Sequence, residues 1–336
     1  MRIEIKDLRR ILPGILISLV LLVAVFWSAN LGDLRDELLN ANYRYLPVAL
    51  VLFIISLFAR AFAWRTLLEE KASIKRVFLT LTEGYFLNNV FPFRLGEIGR
   101  AFLLSRTTSL RFWQIIPTIV IERSFDMLIV VSILLASLPF VVGVEGAGEK
   151  AALVGGVVAV GLGVLYVLAH QRKRVIVLYH HLQARFPILQ KIATSQIESF
   201  FEGLAVITNA GRFLKVFGWM LFAWALLIVH YYLVLLAFVP EAKLAWATFG
   251  ISTVGLGIAI PSAPGGLGVV EATLVFVFGL FAVSRSKALA YSLVVHSSYL
   301  LLTSLPGMYG LMADGESLVQ VYRNVRAQAQ KPKPIT

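Results

Sequence analysis

Apolar residues along this chain gather in long runs instead of the one-sided stripes of a soluble helix. Several runs approach the roughly 20 residues that a helix needs to cross a hydrocarbon core of about 30 Å. Six read as full crossings: Ile11 to Ala29, Leu46 to Arg65, Phe112 to Val142, Ala151 to Ala169, Leu214 to Val239 and Ala288 to Met312. The pattern predicts an all-α, polytopic integral membrane protein in which residues 1–312 form one transmembrane domain and 313–336 a polar tail.

Two further regions are apolar but interrupted. Val77 to Leu104 contains Glu83, Asn88, Asn89, Pro92, Arg94, Gly96, Glu97 and Arg100, and Leu244 to Val283 is divided by Ile260-Pro-Ser-Ala-Pro-Gly-Gly-Leu-Gly268. Proline and glycine at that density break the helical hydrogen-bond ladder, and broken backbone at membrane depth needs protein or water to satisfy it. Each region is therefore expected to be a re-entrant helical hairpin lining a site, or else two short tilted crossings.

Charge orients the chain. Placing the N-terminus inside leaves 23 of the 31 Lys and Arg in cytoplasmic segments and six outside, with Arg60 and Arg123 inside spans; this asymmetry predicts N-in and C-in at the cell membrane. Topology thus accounts for the net charge of +12, and no nucleic-acid partner is expected. Arg2 to Arg10 followed by Ile11 to Ala29 imitates a signal peptide, but no A-x-A-type cleavage site follows, so an uncleaved first anchor is expected. Cysteine is absent, which removes disulfides and thiolate chemistry. Residues 171–212 mix bases with apolar stretches such as Val175 to Leu182, Phe186 to Leu189 and Phe200 to Ile207. They read either as a cytoplasmic amphipathic segment on an anionic leaflet or as a basic connection packed on the bundle. The segment from Arg326, with Pro332 and Pro334, is expected to be disordered.

On this topology the first broken region enters from the cytoplasm and the second from outside. Pro92-Phe-Arg-Leu-Gly96 and Pro264-Gly-Gly-Leu-Gly268 share P-x-x-L-G at an offset of 172 residues. Five residues can match by chance; with opposite topology they also fit the inverted repeats that transporters use for alternating access.

Charges in a bilayer cost about 2.5–3.5 kcal/mol each on insertion scales, so a group of them needs partners or a purpose. In the helix from Phe112, Glu122 sits over Asp126 at i,i+4 and Arg123 beside Asp126 at i,i+3: either a self-neutralising packing knot or a charged wall facing a polar cavity. Arg94, Arg100 and Arg106 offer guanidinium forks suited to phosphate, and Glu97 can pair with one of them or meet a cationic headgroup. Arg106 and Arg111 fit ordinary positive-inside flanking. Asn88 and Asn89 can bond broken-helix backbone. Gly265, Gly266 and Gly268 let backbone approach a ligand at a helix N-terminus, where Glu271 is a capping residue or part of the site. His230 and His296 lie mid-span and can titrate near neutrality. His170, His180 and His181 lack metal-ligand spacing, no G-x-S-x-G elbow, P-loop or H-E-x-x-H occurs, and no cofactor or metal is expected.

Taken together, Asn88-x-x-x-Pro92-x-Arg94-x-Gly96-Glu97-x-x-Arg100, Glu122-Arg123-x-x-Asp126 and Pro264-Gly-Gly-Leu-Gly268-x-x-Glu271 resemble the transmembrane, flippase-like region of the lysylphosphatidylglycerol synthase or multiple peptide resistance factor family. The resemblance implies a phospholipid or lipid-linked substrate and a translocating membrane part. The soluble aminoacyl-transferase domain of full-length synthases has no counterpart after the last span, so a stand-alone, non-enzymatic member is expected. Expected substrate-binding residues are Asn88, Arg94, Glu97, Arg100, Glu122, Arg123, Asp126, Gly265, Gly266, Gly268, Glu271 and His296. The alternatives are an intramembrane lipid- or polyprenyl-phosphate-modifying transferase and a scaffold for a separate cytoplasmic enzyme docked at 171–212.

Overall fold

The computed structural model describes residues 5–91, 94–138, 170–185, 194–204, 208–258, 263–318 and 320–324, with isolated helical positions between 156 and 167. In chain order the helices are α1 (Ile5–Ser28), α2 (Leu31–Asn40), α3 (Leu46–Leu67), α4 (Ile74–Val90), α5 (Leu95–Thr107), α6 (Phe112–Ser137), α7 (Arg172–Arg185), α8 (Thr194–Leu204), α9 (Ala210–Leu236), α10 (Leu244–Gly257), α11 (Val269–Gly279) and α12 (Arg285–Ala313). No strand occurs among the described residues. The expected crossing at Ala151 to Ala169 lies outside them apart from those isolated positions. So do residues 139–142 of the long helix, Pro92, Ile260 to Ser262, Phe186 to Leu189 and the tail from Arg326.

Short polar side chains start four of the described helices. Asn30 caps α2, Ser73 caps α4, Asn209 caps α9 and Ser284 caps α12, each accepting from a backbone N–H of the first turn that would otherwise lack a partner. By length and apolar content Tyr43–Leu67, Ala210–Leu236 and Arg285–Ala313 can each cross a membrane, and Gly14–Ser28 with Leu31–Asn40, bent by 84°, can form a fourth crossing. The bend follows directly on the expected first crossing, Ile11 to Ala29, and α2 lies between it and the second. Helix α6 matches them in length but carries Glu122, Arg123 and Asp126.

The core is built on α3 and α9, which run antiparallel. Asn42 N–H donates to the Ala237 carbonyl, a His230 ring nitrogen lies 2.9 Å from the Ala49 carbonyl, Phe62 stacks on Trp219 and Arg212 pairs with Glu69 at 2.6 Å. The paired positions descend on one helix as they rise on the other.

Both broken regions fold as helical hairpins. Helices α4 and α5 pack together, as do α10 and α11. With 17, 13, 14 and 11 residues, each arm is shorter than a full crossing requires. Around them the order of elements repeats. A long helix, a hairpin and a second long helix make α3–α6, and α9–α12 follow in the same order. Corresponding contacts recur: α4 packs on α12 as α10 packs on α6, α5 on α6 as α11 on α12, and α3 on α4 as α9 on α10.

The 171–212 segment divides between the two readings of it. Helix α8 packs on α6, fixed by Arg111 and Gln114, which both donate to Glu202 at 2.6 Å. Helix α7 turns Val177 and Leu178 outward beside the basic Arg172-Lys-Arg174.

Candidate functional site

Three arginines and three acids from α3, α5 and α6 form one connected cluster. Arg60 donates both terminal nitrogens to Asp126, at 2.9 and 3.1 Å, and Trp224 Nε1 donates to the same carboxylate at 2.9 Å. Arg123 bridges Asp126 at 3.1 Å and contacts Glu122. Arg100 reaches Glu122 at 3.0 Å and Glu97 at 3.2 Å, with its guanidinium 4.6 Å from the Trp64 ring centroid. Arg123 and Glu97 close the circuit at 3.8 Å.

The formal charges cancel, which is the condition for keeping six ionised groups out of water. Burial grades across the cluster: Arg100 is 1% and Glu122 0% exposed, whereas the side chains of Arg123 and Glu97 are 33% and 23% exposed. The weakest ion pair is thus the accessible one. Buried Nε–H groups of Arg100 and Arg123 have no hydrogen-bond partner among the described residues.

Helix α5 delivers Glu97 and Arg100 because hairpin α4–α5 is pulled tight at two glycines. A Cβ on Gly96 would sit 1.9 Å from the Gly84 carbonyl oxygen, so the arms meet backbone to backbone. Asn88 Oδ1 accepts from Gly96 N–H at 2.8 Å, capping the broken helix as its position suggests. Asn89 instead donates to Thr303 and Ser304 on α12, both at 3.0 Å.

Arg94 lies in electrostatic reach of Glu97 but its hydrogen bond goes elsewhere. It occupies the left-handed region at φ 51°, which costs a side-chain-bearing residue about 1–2 kcal/mol, and donates to the Ile258 carbonyl at 2.6 Å. That bond joins the turn of the first hairpin to the second hairpin where α10 ends. Gly266, the residue corresponding to Arg94 in P-x-x-L-G, is also left-handed at φ 74°.

The second hairpin is held by a different chemistry. Glu271 accepts from Gly268 N–H at 2.7 Å, so its capping role is real, and its other oxygen lies 2.6 Å from His296 Nδ1. His296 Nε2 lies 2.9 Å from the Gly265 carbonyl. Ser18 of α1 accepts from Ala263 N–H at 2.8 Å.

The expected site residues therefore separate into three places. Glu97, Arg100, Glu122, Arg123 and Asp126 form the charge cluster; Gly265, Gly266, Gly268, Glu271 and His296 form the second hairpin's turn; Asn88 and Arg94 hold the turn of the first. His230 is a fully buried residue bonded to backbone. Arg106 pairs with Glu316 at 2.5 Å, and no metal-binding group of His and acid side chains occurs among the described residues.

Two participants, Arg60 and Glu83, stood out in the sequence only as polar residues in apolar runs and were not among the expected site residues. Arg60 completes the cluster from 66 residues away; an arginine within an otherwise apolar run was the signal. Glu83, fully buried, shares Arg76 with Asp314 at 3.1 and 2.6 Å, tying α4 to the end of α12.

The family described as lysylphosphatidylglycerol synthase TM region matches residues 11–307. The chain belongs to this family. It is similar to the UPF0104 membrane protein of Methanothermobacter thermautotrophicus, 22% identical over 90% of this chain and 93% of that protein. It is also similar to a protein of Haloferax volcanii named glycosyltransferase AglD, 24% identical over 92% of this chain. It spans about half, 55%, of the length of AglD. The UPF0104 membrane protein MJ1595 of Methanocaldococcus jannaschii is 27% identical over 33% of this chain and 35% of its own length. No solved structure matches. The chain is a membrane protein of this family, and the resemblance carried by the three motifs is borne out.

Proposed function

We propose that this chain is a flippase-like protein of the cell membrane that binds a phospholipid or lipid-linked substrate and moves its headgroup across the bilayer. The observation that carries the reading is the charge-balanced cluster of Arg60, Glu97, Arg100, Glu122, Arg123 and Asp126, held among apolar helices with its weakest pair accessible. The Nε–H groups of Arg100 and Arg123 that lack partners are donors for phosphate oxygens. Glu97 meets the cationic part of a headgroup.

The motion follows from the repeat. On the N-in topology α3 and α9 cross in opposite senses, so α3–α6 and α9–α12 are inverted copies whose hairpins enter from opposite faces. Their turns meet at Arg94 and Ile258. Exchange of the two hairpins between equivalent positions gives alternating access. The carrier is driven by an ion gradient or by the substrate's own gradient.

Reconstituted into liposomes, the protein should accelerate exchange of fluorescent headgroup-labelled phospholipids between leaflets. Glu97→Gln with Arg123→Gln should abolish the acceleration while the protein stays folded. Unchanged exchange in that variant would sink this site.

A second reading draws on the relative named a glycosyltransferase, in which the matching part is about half the protein: the chain as membrane partner of a separate enzyme acting on a lipid-linked substrate, docked at α7 and α8. Co-purification of one stoichiometric enzyme without lipid exchange would favour it.

A further inference from the structure

The turn of the second hairpin closes on an imidazole placed between two acceptors. The Gly265 carbonyl can only accept, so His296 Nε2 carries a hydrogen toward it across 2.9 Å. On the other side Nδ1 and Glu271 Oε1 are 2.6 Å apart. Two lone pairs cannot face each other at that distance, so a proton lies between them whichever atom holds it. The remaining Glu271 oxygen is occupied by Gly268 N–H at 2.7 Å. One shared proton therefore ties α12, α11 and both sides of a turn in which Gly265, Gly266 and Gly268 all have positive φ.

We infer that the His296–Glu271 pair is a proton-binding site that latches the second hairpin, and that the proton is the ion whose movement drives the carrier. The coupling to transport rests on the translocase reading; the latch does not. When the proton departs to water, Nδ1 and the carboxylate repel, His296 turns from the Gly265 carbonyl, and the turn is free to leave α12.

The surroundings leave the pair to itself. Helices α1, over its described side chains, and α10 carry no ionisable residue. Helix α9 contributes Tyr231, which lies in electrostatic reach of Glu271 and Tyr299, and α12 contributes Tyr299 itself. The first hairpin contributes Tyr85 and Arg94, which reach Tyr299 as do Arg60 of α3 and Arg123 of α6; Arg94 is engaged by the Ile258 carbonyl and the other two arginines by Asp126. No permanent cation among the described residues replaces the shared proton as a partner for Glu271.

The chain has no cysteine, so a single nitroxide at Leu267→Cys, a partly exposed turn position, reports on the latch. In the reconstituted full chain the label should be immobile at low pH and become mobile through one step as pH rises. Glu271→Gln places an amide donor against neutral Nδ1 and keeps an oxygen for Gly268 N–H, so this variant should stay immobile through the pH range in which the wild-type label becomes mobile. His296→Gln should be mobile at every pH. A wild-type label insensitive to pH, or a step that persists in Glu271→Gln, overturns the latch. In parallel, lipid exchange is measured with a pH gradient across the liposome. Exchange that follows the gradient in wild type and ignores it in Glu271→Gln supports the coupling. Exchange indifferent to the gradient in wild type overturns it. A titrating label without any lipid exchange leaves the latch standing and removes the translocase reading.

Discussion

The two hairpins share an outline and differ in what holds them. The first, α4–α5, is nailed down by charge: Arg76 to Glu83 and Asp314, Arg106 to Glu316, and Arg100 to Glu97 and Glu122. The second, α10–α11, has one buried acid and packs through glycine and aromatic faces, Gly250 against Phe278 and Trp246 stacked on Phe281. Ion pairs out of water have strict geometry and a high cost of separation. Apolar faces slide, and among the described residues the second hairpin's polar fastening is chiefly the His296–Glu271 contact and bonds to backbone groups. Corresponding hairpins are thus held differently, the first by a network of ion pairs and the second by apolar packing with few polar contacts.

Breaking the anchor should give the largest effect. Arg100→Met takes from Glu122, at 0% exposure, one of its two arginine partners and leaves the cluster one positive charge short; it should destabilise the protein by about 3 kcal/mol, the low end of the usual cost of removing one member of a buried pair. Thermal unfolding in detergent measures it. Adding Glu122→Met should recover most of the loss, because Arg60 and Arg123 are then again balanced by Glu97 and Asp126.

Steric closure comes next. Gly96→Ala puts a Cβ into the Gly84 carbonyl and the Asn88 side chain, and should cost about 1–3 kcal/mol as the arms are forced apart. Gly268→Ala collides with the Ser18 carbonyl at 2.4 Å and adds a strained φ of 83°. It should slow lipid exchange more, relative to its effect on stability, than Gly96→Ala does. Equal ratios in the two variants would erase the distinction between anchor and moving part.

Asn88→Ala removes the side-chain acceptor for Gly96 N–H and should cost about 1 kcal/mol, as N-cap losses do, leaving the charge cluster in place. The smallest effect belongs to neither hairpin. At the end of α3 the Glu69 carboxyl is held below its usual range by Lys71 and then Arg212, and Glu70 by Lys215. Depressed carboxylates stabilise the fold above their unfolded pKa and lose that contribution as pH falls through the lower folded value. Unfolding scans should therefore show a small, salt-sensitive loss below about pH 4.5, and it should vanish in Glu69→Gln with Glu70→Gln. A loss of the same size in that variant would place the acid sensitivity elsewhere.

The chain by itself determined that it is a helical membrane protein, where its apolar runs are broken, and which polar residues cluster along it. It did so because insertion into lipid is decided locally: twenty apolar residues, or a proline and glycine between two short arms, have the same meaning wherever they occur. The three family motifs were legible for the same reason, as short contiguous patterns. Partnership was decided only in three dimensions. Arg60 looked like a stray charge until α3 laid it against Asp126, and Arg94 looked like a cluster member until its left-handed turn aimed it at Ile258. Glu271 joined His296 across 25 residues because α11 and α12 pack side by side. Which of several opposite charges or acceptors a buried side chain meets depends on helix packing that no local pattern encodes.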